Sequence, residues 1–319
     1  MNKWGDKPYH SLDFEMKKRF GEKVYKIALA GGMTCPNRDG TVGRGGCIFC
    51  SGSGSGDFAA PPADSVTEQI DRGIAGISAR KQVGDRFIAY FQSFTNTYAP
   101  VPVLRPLYEE AIRHPHVAML SIATRPDCLP DEVLELLSEC SRIKPVMVEL
   151  GLQTIHEGSA ALIRRGYPLD VYDTAVENLK ERGIEVVTHV IAGLPYETRN
   201  DFLETVYHVG NSGSDGIKLQ LLHVLRDTDL ASMYENGEFE VLTMEDYIET
   251  IVAALSILPE QVVVHRLTGD GPGDLLIAPM WSRRKREVLN GIHRQMKSQN
   301  VWQGKERNRY VHERSHYHL

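Results

Sequence analysis

Three cysteines lie within sixteen residues near the start of the chain, in a glycine-rich segment. They are Cys35, Cys47 and Cys50, with eleven residues between the first two and two between the last two. Four thiolates would close a structural zinc site or a fully ligated iron–sulfur cluster. Three leave one metal position open for a substrate or cofactor, and the neighbouring glycines let the backbone wrap a bulky inorganic group.

Two simpler interpretations of these cysteines stay open. They could be buried, inert thiols, although Cys-x-x-Cys in a glycine-rich loop is a poor core segment. They could also bind a zinc ion that a distant histidine such as His10 completes. A disulfide is disfavoured because the number of cysteines is odd. Of the other two, Cys140 lies on an apolar helical stretch and is expected in the core, and Cys128 follows a strand end, where packing is the commoner role.

The overall composition is that of a globular protein that stays out of membranes. Its 319 residues are 42% hydrophobic and 24% charged, enough for one large α/β domain or two smaller ones. No run of about 18 apolar residues could span a bilayer. The N-terminus lacks the apolar segment of a signal peptide, so with free cysteines we expect a cytoplasmic protein without a membrane partner.

The charge is unevenly distributed along the chain. The net charge is −6, yet residues 281–319 hold ten Lys or Arg against three Glu, a net of +7. Aromatic side chains are interleaved, and such a segment suits a polyanion such as RNA. A solvated helix over 283–297 followed by a frayed terminus would explain the same charges. The candidate RNA contacts are Arg283, Arg284, Lys285, Arg286, Lys305, Arg307 and Arg309.

Short apolar runs alternate with helical stretches along most of the chain. Strands are predicted at 25–30, 86–91, 117–123, 145–151, 184–192, 216–221 and, more briefly, 262–265. Helices are predicted at 66–79, 103–113, 131–141, 157–164, 171–182, 201–209 and 244–255. Apolar strands separated by helices indicate a parallel sheet buried on both faces, with right-handed crossovers.

Six or more such units favour a barrel over an open sheet. The predicted fold is therefore α/β, a partial (β/α)6 TIM-like barrel of parallel strands with a helical, basic C-terminal extension. We divide the chain into an N-terminal extension over 1–24, the barrel over 25–260, and a C-terminal extension over 261–319 that closes the barrel or binds substrate.

Polar residues cluster where the predicted strands end, which is where βα barrels carry their chemistry. They are Gln92, Ser93, Thr95 and Asn96 after the second strand, Thr124, Arg125 and Asp127 after the third, Glu149 and Gln153 around the fourth, and His189 on the fifth. Arg165 is either a cation at a helix C-terminus or a ligand for a cofactor carboxylate. The segment 265–273 either shapes a pocket or forms a surface turn.

The cysteine pattern, placed after the first strand of a βα barrel, resembles that of the radical S-adenosylmethionine (SAM) superfamily. Four further segments resemble the radical-SAM part of the Elongator catalytic subunit and its bacterial relatives. They are Ser-Ile-Ala-Thr-Arg-Pro-Asp at 121–127, Val-Glu-Leu-Gly-Leu-Gln-Thr at 148–154, Arg-Arg-Gly-Tyr at 164–167 and His-Val-Ile-Ala-Gly-Leu-Pro at 189–195. The likeness covers about residues 26–237, and the opening segment 4–9 is similar to that of a bacterial branch of the group.

The resemblance implies a [4Fe–4S] cluster on Cys35, Cys47 and Cys50, with SAM on the fourth iron. One electron, from a donor such as flavodoxin or ferredoxin, would cleave SAM to a 5′-deoxyadenosyl radical that abstracts a hydrogen atom from the substrate. The implied SAM contacts are Gln92, Ser93 and Thr95 for the amino group, Gln153 and Arg165 for ribose or carboxylate, Gly193, Leu194 and Leu221 for adenine, and Glu149 as a further candidate.

Four departures from the patterns of related enzymes bear on the expected activity. The cysteine spacing is longer than the common form, and Ser93-Phe94 replaces the usual Gly-Gly pair. No acetyltransferase domain follows the barrel, so acetyl-CoA chemistry is not expected. No second cysteine triad is present, so methylthiotransferase activity is not expected either.

The leading functional hypothesis is a radical SAM enzyme that modifies tRNA at the C5 substituent of a wobble uridine. A flipped base would enter the barrel mouth, and the phosphates would lie on the basic extension. One alternative keeps the radical chemistry but uses a small-molecule substrate. Another is a zinc-stabilised RNA-binding module without catalysis.

Overall fold

One parallel sheet organises the protein. The computed structural model describes residues 3–52, 54, 65–269 and 271–315. The sheet runs in chain order through β1 Tyr25–Leu29, β2 Phe87–Phe91, β3 Val117–Thr124, β4 Val146–Gln153, β5 Glu185–Ala192, β6 Gly216–Leu221 and β8 Val263–Arg266. Every neighbouring pair is parallel. A short antiparallel pair, β7 Val224–Leu225 and β9 Leu276–Ala278, lies beside it.

Helices connect the strands and cover the outer face of the sheet. They are α1 Leu12–Phe20, α2 Pro36–Asp39, α3 Val66–Ser78, α4 Val101–Arg113, α5 Asp131–Ser141, α6 Glu157–Leu162, α7 Leu169–Glu181, α8 Arg199–Asn211, α9 Asp229–Glu235, α10 Met244–Ile257, α11 Lys285–Ser298 and α12 Arg307–Ser315. Local signals set several starts. Ser65 and Glu68 form a capping box at α3, and Thr198 and Asp201 form one at α8.

The sheet curls into an open barrel. β1 and β8 are its two edges and are not paired with each other. Side chains from distant strands nevertheless meet across the interior: Lys26 on β1 contacts Glu149 on β4, and Lys218 on β6 contacts Tyr90 on β2. The main apolar core lies between the outer face of the sheet and the helices. All five residues of β2 are buried, as expected for a parallel strand covered on both faces.

The predicted α/β partial barrel is confirmed, and its sheet has seven strands where the predicted (β/α)6 barrel counted six. The run at 262–265 is a seventh sheet strand, β8, whose Val263 and Val264 pair with Gly216 and Ile217. It belongs to the same sheet although it follows the predicted boundary at residue 260, and the division of the chain into three parts stays a proposal. Each of the six long strands lies within two residues of its prediction.

The secondary structure predicted from the sequence is wrong mainly in its short helices. The one-turn helix α2 inside the cysteine loop was not predicted, nor were α1, α9 and α12, because segments this short show little periodicity. The predicted frayed terminus is wrong over 307–315, which forms α12. No helix among the described residues has the length and apolar composition needed to cross a bilayer.

Candidate functional site

A large cavity opens at the carboxyl ends of the strands and extends into the barrel. Its volume of about 810 Å³ lies toward the top of the roughly 300–1,000 Å³ typical of ligand sites. There is therefore room for a nucleoside-sized cofactor and part of a second ligand. The wall comes from the cysteine loop, the ends of β2 to β6, residues 265, 266, 269, 271 and 272, and the start of the basic extension.

The cysteine loop is held in place by Asn37. Its buried side-chain amide donates to the Arg164 carbonyl at 2.6 Å and to the Cys47 sulfur at 3.5 Å. The backbone carbonyl of Asn37 accepts a hydrogen bond from the backbone N–H of Gly46 at 2.8 Å. One residue thus ties the first half of the loop to the second and to the segment after α6. Cys35, Cys47 and Cys50 all line the cavity.

The environment of the cysteines favours metal binding over inert packing. A hydrogen bond from Cys50, another from Asn37 and the charges of Arg125 and Arg38 lower the pKa of Cys47 to about 7, against the effect of burial. The pKa of Cys50 is raised well above its usual value because Cys50 donates to Cys47 and is buried. Since the thiolate is the metal ligand, Cys47 is poised to bind at neutral pH.

The donor set of the loop is three thiols on one wall of the cavity. The Cys50 thiol donates to the Cys47 sulfur, so these two sulfurs are neighbours. In the described part of the chain, no set of three ligand atoms within 4.8 Å of one another includes any of these cysteines. Cysteine thiolates are the usual ligands of iron–sulfur clusters, so the donor set fits such a cluster with one open position.

His10 does not complete a zinc site. Its Nε2 lies 2.9 Å from the Glu15 carboxylate and its Nδ1 lies 3.3 Å from the Glu260 carbonyl, while the ring stacks on Trp4. Both ring nitrogens are therefore already engaged with protein groups, and the sequence-based suggestion of His10 as a ligand is wrong.

Gln153 offers the strongest sign of a missing ligand among the predicted SAM contacts. It ends β4 with a φ of 69° and lines the cavity, and its Oε1 is buried with no hydrogen-bond partner in the described residues. A buried unpaired acceptor is costly, so a ligand donor such as a ribose hydroxyl would fit there. Gln92, Thr95 and Leu221 line the same cavity.

The other predicted SAM contacts either bond to protein groups or lie outside the cavity lining. Arg165 lines the wall, but its guanidinium already donates to the carbonyls of Tyr167 and Thr154 at 2.9 and 2.6 Å and to Glu157 at 3.0 Å. It therefore braces the wall. Ser93, Gly193 and Leu194 do not line the cavity; Leu194 packs in a separate apolar cluster. Their cofactor roles stay predictions.

A buried cluster of charged residues forms the deep end of the cavity. We call it the floor cluster; it consists of Lys26, Tyr90, Glu149, His189 and Lys218. Glu149 is 1% exposed and accepts from both lysines, from Ser121 at 2.8 Å and from His189 at 2.7 Å. Sequence reasoning selected Glu149 and His189 but missed both lysines. The available signal was a lysine inside an apolar strand, as in Tyr-Lys-Ile-Ala-Leu at 25–29.

The protonation states of the floor cluster follow from burial and neighbouring charges. Burial would raise the pKa of Glu149, but Lys218 and Lys26 outweigh it and hold that pKa well below its usual value. Burial and the nearby lysines lower the pKa of His189 to about 4. Burial, only partly offset by Glu149, lowers the pKa of Lys218 to about 7. At neutral pH the carboxylate is charged and the imidazole is neutral.

The end of β8 and residues that follow it shape the cavity. His265, Arg266, Gly269 and Gly271 line it, which resolves the alternative of a surface turn. A Cβ added at Gly269 would lie 2.3 Å from the ring of His223, so only glycine allows this approach of the backbone to the histidine.

The predicted RNA contacts fall into two groups. Arg283 and Lys285 line the mouth of the cavity, and Arg284 and Arg286 lie exposed beside them. Further along the chain, Arg307 donates to Asn211 at 2.7 Å and to the Ile257 carbonyl at 3.3 Å. Lys305 donates to the Asn300 carbonyl at 2.9 Å and lies over Trp302. Lys305 and Arg307 thus anchor the start of α12, and Arg309 lies on that helix.

Gly166 should be indispensable for the cysteine loop. Its φ is +82°, and an added Cβ would lie 2.7 Å from Val42 and 2.9 Å from the Asn37 side chain that positions Cys47. We expect Gly166→Ala to cost at least about 1–2 kcal/mol and to lower iron uptake, measured as iron per protein after reconstitution. Gly158→Ala is the matched control, because that position in α6 has open space. Equal iron content in the two variants would contradict this assignment.

Comparison with known proteins shows which family the chain belongs to. The family model described as the radical SAM superfamily matches residues 37–208, and the radical SAM C-terminal domain matches residues 214–298. The chain is 46% identical to YtqA of Bacillus subtilis over 300 residues, 94% of this chain and 93% of that protein. It is 30% identical to the tRNA uridine(34) acetyltransferase of Methanocaldococcus infernus over 172 residues, 53% of this chain but only 31% of that protein.

The fold has a close counterpart among solved structures. The archaeal Elp3 of Methanocaldococcus infernus superimposes with a TM-score of 0.67 at 18% identity, covering 88% of this chain and 64% of that one. The resemblance to the Elongator catalytic subunit is thereby confirmed for the barrel. The interpretation as a zinc-stabilised module without catalysis is wrong, because the radical SAM superfamily model matches residues 37–208. The chain belongs to the radical SAM superfamily and is a radical SAM enzyme.

Proposed function

We propose that this enzyme uses a [4Fe–4S] cluster and SAM to modify tRNA at the C5 substituent of a wobble uridine. The observation that carries the proposal is that one cavity joins the three-cysteine loop at its wall to a cationic mouth formed by Arg283 and Lys285. A radical generated at that wall would act on whatever enters through that mouth.

The cofactor side of the proposal rests on the cysteine loop and the strand ends. Cys35, Cys47 and Cys50 would ligate the cluster, which when bound supplies the electron that cleaves SAM reductively. The unpaired Oε1 of Gln153 would accept from a ribose hydroxyl, and Leu221 would contact the adenine. The electron would come from a donor such as flavodoxin or ferredoxin, and the proposed location is the cytoplasm.

The proposed tRNA substrate is supported by the charge of the cavity and by the similarity of the chain to a tRNA uridine(34) acetyltransferase. Among the residues that the structure describes, eight Lys or Arg but only one carboxylate, that of Glu149, line the cavity of a protein whose net charge is −6. A cavity of this sign attracts a polyanion. A relative that shares 30% identity over 172 residues is a tRNA uridine(34) acetyltransferase. A base flipped out of an anticodon loop would carry its edge into the barrel, while its phosphates stay at the mouth.

Reversing the charge at the mouth should abolish RNA binding and spare cofactor chemistry. We expect the triple variant Arg283→Glu, Arg284→Glu, Arg286→Glu to bind an anticodon stem-loop at least about 100-fold more weakly at low salt, with a shallower dependence on salt, because phosphate contacts are lost. The measurement is fluorescence anisotropy of a labelled stem-loop over a salt series. Formation of 5′-deoxyadenosine without RNA should be unchanged.

The matched control reverses Arg113, Arg142 and Lys180, which are exposed and lie on the outer helices or at their ends. That control should bind RNA within a few-fold of the wild type, allowing for long-range repulsion. Equal binding by the two triple variants would rule out this mouth as the RNA contact. If the wild type also fails to bind the stem-loop yet makes 5′-deoxyadenosine, the result favours the alternative of a radical SAM enzyme with a small-molecule substrate.

A further inference from the structure

The floor cluster carries more positive charge than its carboxylate can balance. Lys26 and Lys218 converge there from β1 and β6, and both line the cavity. Among the lining residues that the structure describes, Glu149 is the only carboxylate. The side chains of Lys26 and Lys218 are only 19% and 8% exposed, so bulk water screens their charge weakly.

The two lysine ammonium groups also have unused donors. Each carries three N–H groups. Within the described residues Lys26 donates only to Glu149, and Lys218 donates to Glu149 and to the Tyr90 hydroxyl at 3.1 Å. Three N–H groups of the two lysines therefore have no acceptor among the described residues, although both ammonium groups lie over the Tyr90 ring, 4.6 and 4.7 Å from its centroid. Because cations in a buried site are costly without acceptors, an anionic ligand group would be stabilised at this position.

The depth of the cluster identifies which part of a ligand would reach it. Glu149 lies four residues before Gln153 on β4, which at about 3.3 Å per residue is roughly 13 Å below the strand end. Lys26 precedes the cysteine loop by most of a strand. The floor is thus remote from the cysteines, and the backbone phosphates of an RNA held at the mouth would remain above it. Only the edge of an inserted base, with its substituent, would extend that far.

We propose that the floor cluster is a subsite for a carboxylate carried on the substituent of the target base, held by Lys26 and Lys218. This inference rests on the proposed function and extends it to the substrate class: a uridine whose C5 substituent is already an acid when it reaches this enzyme. A carboxylate suits the site because its two oxygens can accept from both ammonium groups, while the repulsion from Glu149 disfavours a dianion.

The charge state of the site sets its pH dependence. The pKa of Lys218 is about 7, and a bound anion would raise it further. The groups that face Lys218 are Lys26, Tyr90, Glu149, His189, His265 and Arg266. Near neutral pH Glu149 is ionised, because its pKa is lowered. His189 and His265 are uncharged because their pKa values are lowered, and Tyr90 is uncharged because its pKa is raised. Carboxylate binding should therefore weaken as the pH rises above about 7.

The test compares two anticodon stem-loops of identical sequence, with either a carboxymethyl group or its methyl ester at C5 of the wobble uridine. Binding to the reconstituted, unreduced enzyme with SAM present is measured by anisotropy, so no turnover is needed. We expect the acid to bind roughly tenfold more tightly than the ester at about pH 6.5, and the preference to shrink toward about pH 8.5.

Lys26→Met should remove the preference for the acid, so that the ratio of acid to ester affinity falls toward one. Lys180→Met is the matched control, because Lys180 pairs with Asp215 on the outside of the barrel. Equal binding of acid and ester by the wild type overturns the floor proposal and leaves RNA binding standing. Binding of neither stem-loop overturns the proposed function itself. The wild-type comparison decides the question even if the Lys26 variant fails to fold.

Discussion

Alanine at any one of Cys35, Cys47 and Cys50 should reduce 5′-deoxyadenosine formation by more than about 100-fold. Each thiolate would be one of the three protein ligands of the proposed cluster, so removing one would leave the cluster with two protein bonds. The measurement is anaerobic: reconstitution with iron and sulfide, reduction, addition of SAM, and assay of iron content and 5′-deoxyadenosine. Both quantities should fall together in all three variants.

The chain contains its own controls for this experiment. Cys140→Ala and Cys128→Ala remove thiols that are buried at 2% and 6% exposure and do not line the cavity. Burial raises the pKa of Cys140 to about 11 and that of Cys128 to about 12, as expected of packing thiols. These variants should lose about 1 kcal/mol of stability and keep the cluster. A variant at position 35, 47 or 50 that retained full iron and product would refute the three-ligand site.

Glu149→Gln should lower the free energy of unfolding by about 3–5 kcal/mol. The substitution leaves Lys26 and Lys218 buried without a counter-charge. Removing one partner of a buried ion pair destabilises a protein more than replacing the whole pair with apolar residues. Against a total of roughly 5–15 kcal/mol for a typical domain, the loss should be plain in urea denaturation. Glu260→Gln removes an exposed carboxylate paired with Lys3 and should change stability by less than about 1 kcal/mol.

The pH dependence gives this prediction a second check. The folded-state pKa of Glu149 lies below its unfolded value, so its contribution is complete above about pH 4.5 and is lost as the pH falls through the folded pKa. The folded-state pKa of Lys218 is also lowered, so its charge opposes folding below about pH 7 and this effect fades as the pH rises. The Glu149→Gln penalty should therefore be larger at about pH 6 than at about pH 9. A penalty independent of pH would show that the lysine charges are not its cause.

The two large predictions test different parts of one cavity. The cysteine variants address the wall where the cofactor would bind, and Glu149→Gln addresses the floor. Glu149 is therefore better understood as the counter-ion of two buried lysines than as the SAM contact that the resemblance suggested. Its four hydrogen bonds all go to protein groups. Stability and cofactor cleavage should respond separately to the two kinds of variant.

The sequence by itself determined the order of the elements and the chemistry of the cysteines. Apolar runs of five to eight residues separated by amphipathic stretches are local patterns, and they predict a parallel α/β barrel without knowledge of contacts. The cysteine spacing likewise lies within one loop. The grouping of Gln92, Thr95 and Gln153 followed from one rule, that the carboxyl ends of parallel strands share an edge.

Only the tertiary structure decided which side chains meet inside the barrel. Lys26 and Glu149 are more than a hundred residues apart, and alternation along a strand shows that each points to one face without showing that the sheet curls enough to bring them together. The same holds for the basic extension, where a sum of charges cannot separate Arg283 at the cavity mouth from Arg307 bonded to Asn211. Local patterns specify elements, whereas the curvature and packing of the whole sheet specify the site.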